Sequence, residues 1–180
     1  MMSHPPIEES LNPEAQTICP GHNIHNQNPT TFDFEADFIK SLRCIPMQVR
    51  YKLDTCGIKL KLQHWHSLSH TDRQQLTNLP CESSQQIYAY REKLCALVIA
   101  SGCDRPKDLP IDPMPDWLNT NRVPEVVIHK AQTLDLEINL NQWKQLSPLQ
   151  RFALIKLSRS GHENRNFLPA ATEFGLVLAE

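Results

Sequence analysis

The sequence has no apolar run longer than seven residues, and the longest, 94–100, is far short of the roughly 20 residues a bilayer span requires. Positive charge is not concentrated either. Lys and Arg number 18 against 20 Asp and Glu, for a formal net charge of −2. A nucleic-acid binder needs a clustered cationic excess to neutralise phosphates, so that class is excluded. None of the six cysteines, at 19, 44, 56, 81, 95 and 103, forms a CxxC pair, and their spacings match no zinc framework. The first residues, MMSHPPIEES, have neither the basic start nor the apolar stretch of a secretory signal. A cytoplasmic location is therefore expected, with the cysteines as reduced thiols. GxSxG, HExxH and a Gly-rich phosphate loop are all missing. The chain is read as no enzyme, and no catalytic residue, cofactor or metal ligand is assigned to it.

What is present is an ordinary globular composition, 40% hydrophobic and 21% charged, on a length of 180 residues. That is enough to bury a core. Residues 1–30 hold Pro5, Pro6, Pro13, Pro20 and Pro29, several amides and few large apolar side chains. Such a segment cannot offset its ordering entropy by burial and is expected to be a disordered tail. Residues 31–180 are read as a single domain.

The strongest signal inside that domain is an internal repeat over 45–76 and 123–154. At a shift of 78, Pro46, Val49, Lys52, Leu62, Trp65, Leu68, Ser69, Arg73 and Leu76 meet Pro124, Val127, Lys130, Leu140, Trp143, Leu146, Ser147, Arg151 and Leu154. Chance at ordinary residue frequencies gives about two such identities over this ungapped span. Each unit opens on an apolar residue before Pro, which favours extended geometry there and a helix start at the proline. A helical stripe follows: Ile45, Val49, Leu53 and Cys56, or Val123, Val127, Ala131 and Leu134. Gly57 suits a left-handed cap. Alternation over 58–62 and 136–140 suits short strands. Ser69 with Asp72, and Ser147 with Gln150, suit helix N-caps with a reaching partner, and Pro148 strengthens the second. The expected fold is mainly α: a compact helical domain from two helix–short strand–helix units, with a small antiparallel pairing between the two strand segments. A longer helix over 84–101, capped by Gly102, separates the units. In the loop 103–122, Leu109, Ile111, Met114, Trp117 and Leu118 are expected to tuck inward. A last helix is read over 166–178, starting near Pro169.

Four groupings could carry chemistry. His64, His66 and His70 lie near Cys56 and Cys81, but the second unit has Gln142, Lys144 and Pro148 in place of the histidines, so the unit folds without imidazole. Cys19, His22 and His25 fall in the tail. The Trp65/Arg73 and Trp143/Arg151 pairs read as core tryptophans with an arginine that stacks on the ring or caps a helix end. The most pointed grouping is Gly161, His162, Glu163, Asn164, Arg165, Asn166 and Phe167. It gathers an acid, a guanidinium, an imidazole and two amides between apolar helices. A stretch of this kind must lie at a surface or in a hydrogen-bonded turn, and it is assigned as partner-binding.

FDFEADF (32–38), SLRCIPM (41–47), VRYKLDTCGIKL (49–60) and LIKLSRSGHENRNFLPA (154–170) together resemble the nitrate-reductase-associated protein family, of cyanobacterial type. The likeness covers about 32–176. It implies a protein that accompanies assimilatory nitrate reductase and is needed for that enzyme's activity. The resemblance carries over no catalytic residue. The expected function is thus a non-catalytic accessory protein that supports maturation, cofactor insertion or activity of the reductase through protein binding. The alternative is a metal or cofactor carrier using Cys and His ligands, with Cys44, Cys56 and Cys81 as its soft donors.

Overall fold

The computed structural model of the protein describes residues 31–159 and 161–177; the tail expected over 1–30 lies outside them. A 3-10 turn, Asp33–Glu35, leads into the one-turn helix α1 (Ala36–Ile39). Then come α2 (Met47–Thr55), β1 (Ile58–Lys59), α3 (Leu62–Ser67), α4 (His70–Asn78) and the longest helix, α5 (Ser84–Ala100). The second half holds β2 (Lys107–Asp108), a 3-10 turn Asp116–Leu118, α6 (Glu125–Gln132), α7 (Leu140–Gln145) and α8 (Pro148–Ser158). A 3-10 turn His162–Asn166 and α9 (Phe167–Glu173) complete it. The fold is mainly α, as expected.

Local signals set most helix starts. Ser69 and Ser147 accept from the backbone N–H of Asp72 and Gln150, whose side chains reach back to the cap N–H, closing capping boxes on α4 and α8. Ser83 with Gln86 and Asn139 with Gln142 form two more, on α5 and α7. Each replaces a lost helical bond at an end that has no internal partner. Pro46 and Pro124 stand as the residues just before α2 and α6, one position earlier than the sequence suggested. Gly57 and Gly102 have φ of 67° and 83° and end α2 and α5 in the left-handed region.

Two hydrophobic cores result. One gathers Leu42, Ile45, Val49, Leu53, Trp65, Leu76, Tyr90, Leu94 and Val98 with the buried Cys56, Cys81 and Cys95. The other gathers Val123, Val127, Trp143, Phe152, Leu154, Leu157, Phe167 and Ala170, together with Phe32 and Met47 from the first half. Between the two, α2 packs on α8. Tyr51 there meets Trp117 and Phe152 edge-on, with centroids 6.3 and 5.4 Å away, and Lys156 pairs with Asp54 at 2.7 Å.

At a shift of 78, three helix starts and one arginine bond, to Trp65 O or Trp143 O, recur, while the other acceptors do not stand 78 apart. Met47, Leu62 and His70 begin α2, α3 and α4, and Glu125, Leu140 and Pro148 begin α6, α7 and α8. Trp65 and Trp143 are both fully buried. The Trp65 indole N–H donates to Leu42 O at 2.7 Å, and that of Trp143 to Asn119 O at 2.9 Å. Arg73 donates to Trp65 O (2.9 Å), His66 O (2.9 Å) and Leu42 O (3.3 Å). Arg151 donates to Trp117 O (2.7 Å), Leu146 O (2.7 Å) and Trp143 O (3.4 Å). Arg73 also sits 5.9 Å from the Trp65 ring centroid, so it both stacks and caps. A further identity at the same shift, Thr55 with Thr133, places a hydroxyl on a helix carbonyl in each case, Tyr51 O and Lys130 O.

Three expectations are corrected. Residues 58–62 do not pair with 136–140: β1 pairs antiparallel with β2, Ile58 opposite Asp108 and Lys59 opposite Lys107. The chain leaving α5 returns across β1 and takes its edge, with Leu109 N–H donating to Gly57 O at 2.8 Å. In the second half, Leu136 N–H instead closes onto Ala131 O at the end of α6, and Asn139 is committed to capping α7. Of the five apolar residues expected to tuck in from 103–122, only Trp117 is half-buried, while Leu109, Ile111, Met114 and Leu118 are exposed. The last helix starts at Phe167, so Pro169 lies in its first turn, where a missing N–H costs nothing.

Lys52 is buried and donates to Thr77 O and Leu79 O, both at 2.6 Å, tying α2 to the end of α4. Burial brings its ammonium down from 10.5 to about 8. Between those values the unfolded chain binds the extra proton, so stability rises with pH through this window. Burial also pushes Cys81 up to about 11 and Cys56 to about 12, from 9, and these thiols act in the opposite sense at higher pH. Urea unfolding should therefore show a gain of about 1 kcal/mol between pH 7 and 9, followed by a decline above pH 9. Lys52→Met should abolish the gain. A gain that survives the substitution would assign it to another group.

Candidate functional site

The sequence stretch expected to bind a partner lies beside a half-polar cleft. The cleft measures about 270 Å³ and is built from both ends of the described chain. Phe34, Glu35, Asp37 and Phe38 come from the first 3-10 turn and α1. Arg43, Cys44 and Ile45 come from the connection to α2. Met47 and Arg50 come from α2, Leu157 from α8, and Arg165 and Asn166 from the last 3-10 turn.

Each wall is held by identifiable bonds. Glu173 on α9 accepts from Asp33 N–H (3.0 Å) and Phe34 N–H (3.3 Å), joining the last helix to the first turn. Phe32, Phe34 and Phe174 reinforce that join, Phe32 lying 5.1 Å from each of the other two rings. Buried Glu35 accepts from Met47 N–H at 2.8 Å and so caps the start of α2 from a distance, where a carboxylate is favoured by the helix dipole. Arg50 Nε donates to Ile45 O at 3.0 Å.

The connection over 40–43 turns sharply, with Leu42 at φ 49°, a strained value for a leucine. Four side chains of the first Trp/Arg unit hold it. Trp65 and Arg73 donate to Leu42 O, His66 to Arg43 O at 2.8 Å, and His70 to Lys40 O at 3.1 Å. The histidines that suggested metal binding thus fix the turn that carries Arg43. His64 is buried on the other side of α3.

On the opposite wall, Phe167 is fully buried and anchors the 3-10 turn, so it supports this surface from beneath and presents no face to solvent. Asn164 donates to Arg159 O at 3.3 Å, and its N–H closes on Gly161 O at 3.2 Å. Gly161 and Arg165 are exposed, while Asn164 and Asn166 are half-buried. The side chains of His162 and Glu163 lie outside the described part of the structure. Of the seven predicted residues, Arg165 and Asn166 line the cleft.

Residues 31–174 match the model of a family described as conserved nitrate reductase-associated proteins. The chain belongs to the nitrate reductase-associated family. The match spans both walls of the cleft. Neither a curated protein nor a solved structure matches the chain. The family's description ties it to nitrate reductase and suggests a role beside an enzyme, not as one.

In this nitrate reductase-associated protein, no helix of the described residues is long and apolar enough to cross a membrane. The thiols and imidazoles do not converge: among the described residues no three His, Cys, Asp or Glu side chains are grouped to hold a metal ion. Cys56 and Cys81 are buried in the first core, where burial raises their pKa and disfavours the thiolate a metal would need, and Cys44 sits apart on the cleft. Arg43, Arg50 and Asp37 were not singled out from the sequence. No local pattern marks them, because the cleft forms only when α8 and the last 3-10 turn pack against the first fifty residues.

Proposed function

We propose that the protein is a non-catalytic accessory partner of assimilatory nitrate reductase, acting in the cytoplasm, which supports the reductase's maturation, cofactor insertion or activity by binding it. The contact surface is the cleft between 34–50 and 161–166. One observation carries the reading: Arg165 and Asn166, from the polar segment the sequence marks for recognition, line one depression with apolar and charged residues of 34–50. Partner sites commonly combine an apolar floor with a polar rim in this way. The family's description supplies the partner.

The test is cross-linking and co-purification of the tagged chain from cells grown on nitrate. Reductase should be recovered with it, and cross-links should fall on residues 34–50 or 161–166. Full reductase activity in a deletion strain, with no association in extracts, would overturn the proposal.

A further inference from the structure

The cleft is divided chemically. Phe34, Phe38, Ile45 and Leu157 give it an apolar face, and Arg43 and Arg165 stand exposed on it from opposite walls. Among the described residues neither of these two guanidiniums has a hydrogen bond or an ion pair. Among the described residues Arg50, Glu35 and Asp37 also line it, so cations there exceed anions by one. Glu35 is already spent on Met47 N–H.

We infer that the cleft takes an acidic peptide segment of the partner, with a carboxylate held between Arg43 and Arg165 and a neighbouring apolar side chain set on the Phe34–Phe38 face. This rests on the proposed function above and names the chemistry of its contact. Two features favour a peptide over a small oxyanion. Sites for phosphate-like ions use the free N–H groups at a helix start, but the first N–H of α2 is already bonded to Glu35. A depression of about 270 Å³ with an apolar face is also larger and less polar than an inorganic ion needs. A guanidinium on each wall suits a carboxylate, which arginine binds in a planar two-point fork. The turn carrying Arg43 is fixed by Trp65, His66, His70 and Arg73, and Phe167 next to Arg165 in the chain is buried, so the backbone under both arginines is already ordered and binding has chiefly their side chains to order.

The experiment measures binding of the full-length chain to purified reductase by calorimetry, and to overlapping peptides that tile the reductase. Wild type should select peptides in which Asp or Glu neighbours an apolar residue. Affinity should fall with added salt. Arg43→Glu with Arg165→Glu should weaken binding of reductase and peptides by about tenfold or more. Both sites are exposed, so thermal unfolding should be unchanged. Arg43→Gln with Arg165→Gln, a milder pair, should weaken binding less.

Reductase binding undiminished by either pair overturns the acidic-peptide site while leaving the proposed function standing. No binding of reductase to wild type overturns both. Saturable heat with inorganic phosphate or nitrate and none with peptides overturns the peptide in favour of a small anion. Self-association abolished by the Glu pair overturns it in favour of a second copy of the chain.

Discussion

Trp65→Ala and Trp143→Ala are each expected to destabilise the protein by about 4 kcal/mol, a large fraction of the roughly 5–15 kcal/mol by which native proteins are stable. Both indoles are fully buried, so truncation removes a large apolar body from a packed core that cannot collapse around the gap. Each also leaves a carbonyl, Leu42 O or Asn119 O, without its indole donor. Trp→Phe isolates the second effect. It keeps most of the ring but removes the N–H, and should cost about 1–2 kcal/mol at either site.

The two sites differ in what else they hold. Leu42 O keeps Arg73 as a donor after Trp65→Phe, but it belongs to the strained turn that carries Arg43. Trp65→Phe should therefore weaken reductase binding as well, and Trp143→Phe should not. Urea unfolding of the four variants measures the stability part. If one alanine variant loses less than about 1 kcal/mol, that tryptophan does not organise its core, and the matched role assigned to the pair fails.

These expectations could be formed early because the features behind them are local. A Ser three residues before Asp or Gln announces a helix start whatever surrounds it, and the structure closes such boxes at Ser69 and Ser147. Helical stripes likewise place Val49, Leu53, Val127 and Ala131 inside. Strand pairing is not local. The alternation at 58–62 identifies an extended segment but not its partner, and the partner proved to be the return from α5. Exposure of Met114 and Ile111 was equally hidden, since an apolar residue in a proline-rich loop has no periodicity to read.

The candidate site divides in the same way. Arg165 and Asn166 sit in a conspicuous polar run, and the run does border a cleft. Arg43 and Asp37 sit in ordinary sequence and matter only because residues more than a hundred positions later pack beside them. Phe167 reads as the aromatic of a recognition motif, yet it is buried, because the turn before α9 needs an anchor in the second core.

Gly57→Ala should cost about 3 kcal/mol, and Asp135→Gly, at the position 78 residues on, should change stability by less than about 1 kcal/mol. Both residues have positive φ, 67° and 53°, and both follow the helix that opens their unit. Left-handed backbone alone penalises alanine by about 1–2 kcal/mol. The rest of the difference is steric. A Cβ on Gly57 would lie 2.7 Å from Ile111 Cγ1 and 2.7 Å from Leu109 O. The isoleucine can turn away, but the carbonyl cannot, because Leu109 N–H is bonded to Gly57 O and the preceding residues pair with β1. Arg91 tightens the same point, donating to Cys56 O at 2.7 Å while pairing with Asp108 at 2.7 Å. Moving Leu109 would strain both. Asp135 is exposed, and among the described residues no strand crosses it. Its side chain tolerates the left-handed region, so glycine relieves little strain and adds unfolded-state entropy. Thermal or urea unfolding of the two single variants gives the comparison. A loss below about 1 kcal/mol for Gly57→Ala would mean that the β1–β2 crossing yields easily, and that its close approach to Gly57 contributes little to holding α2 and α5 together.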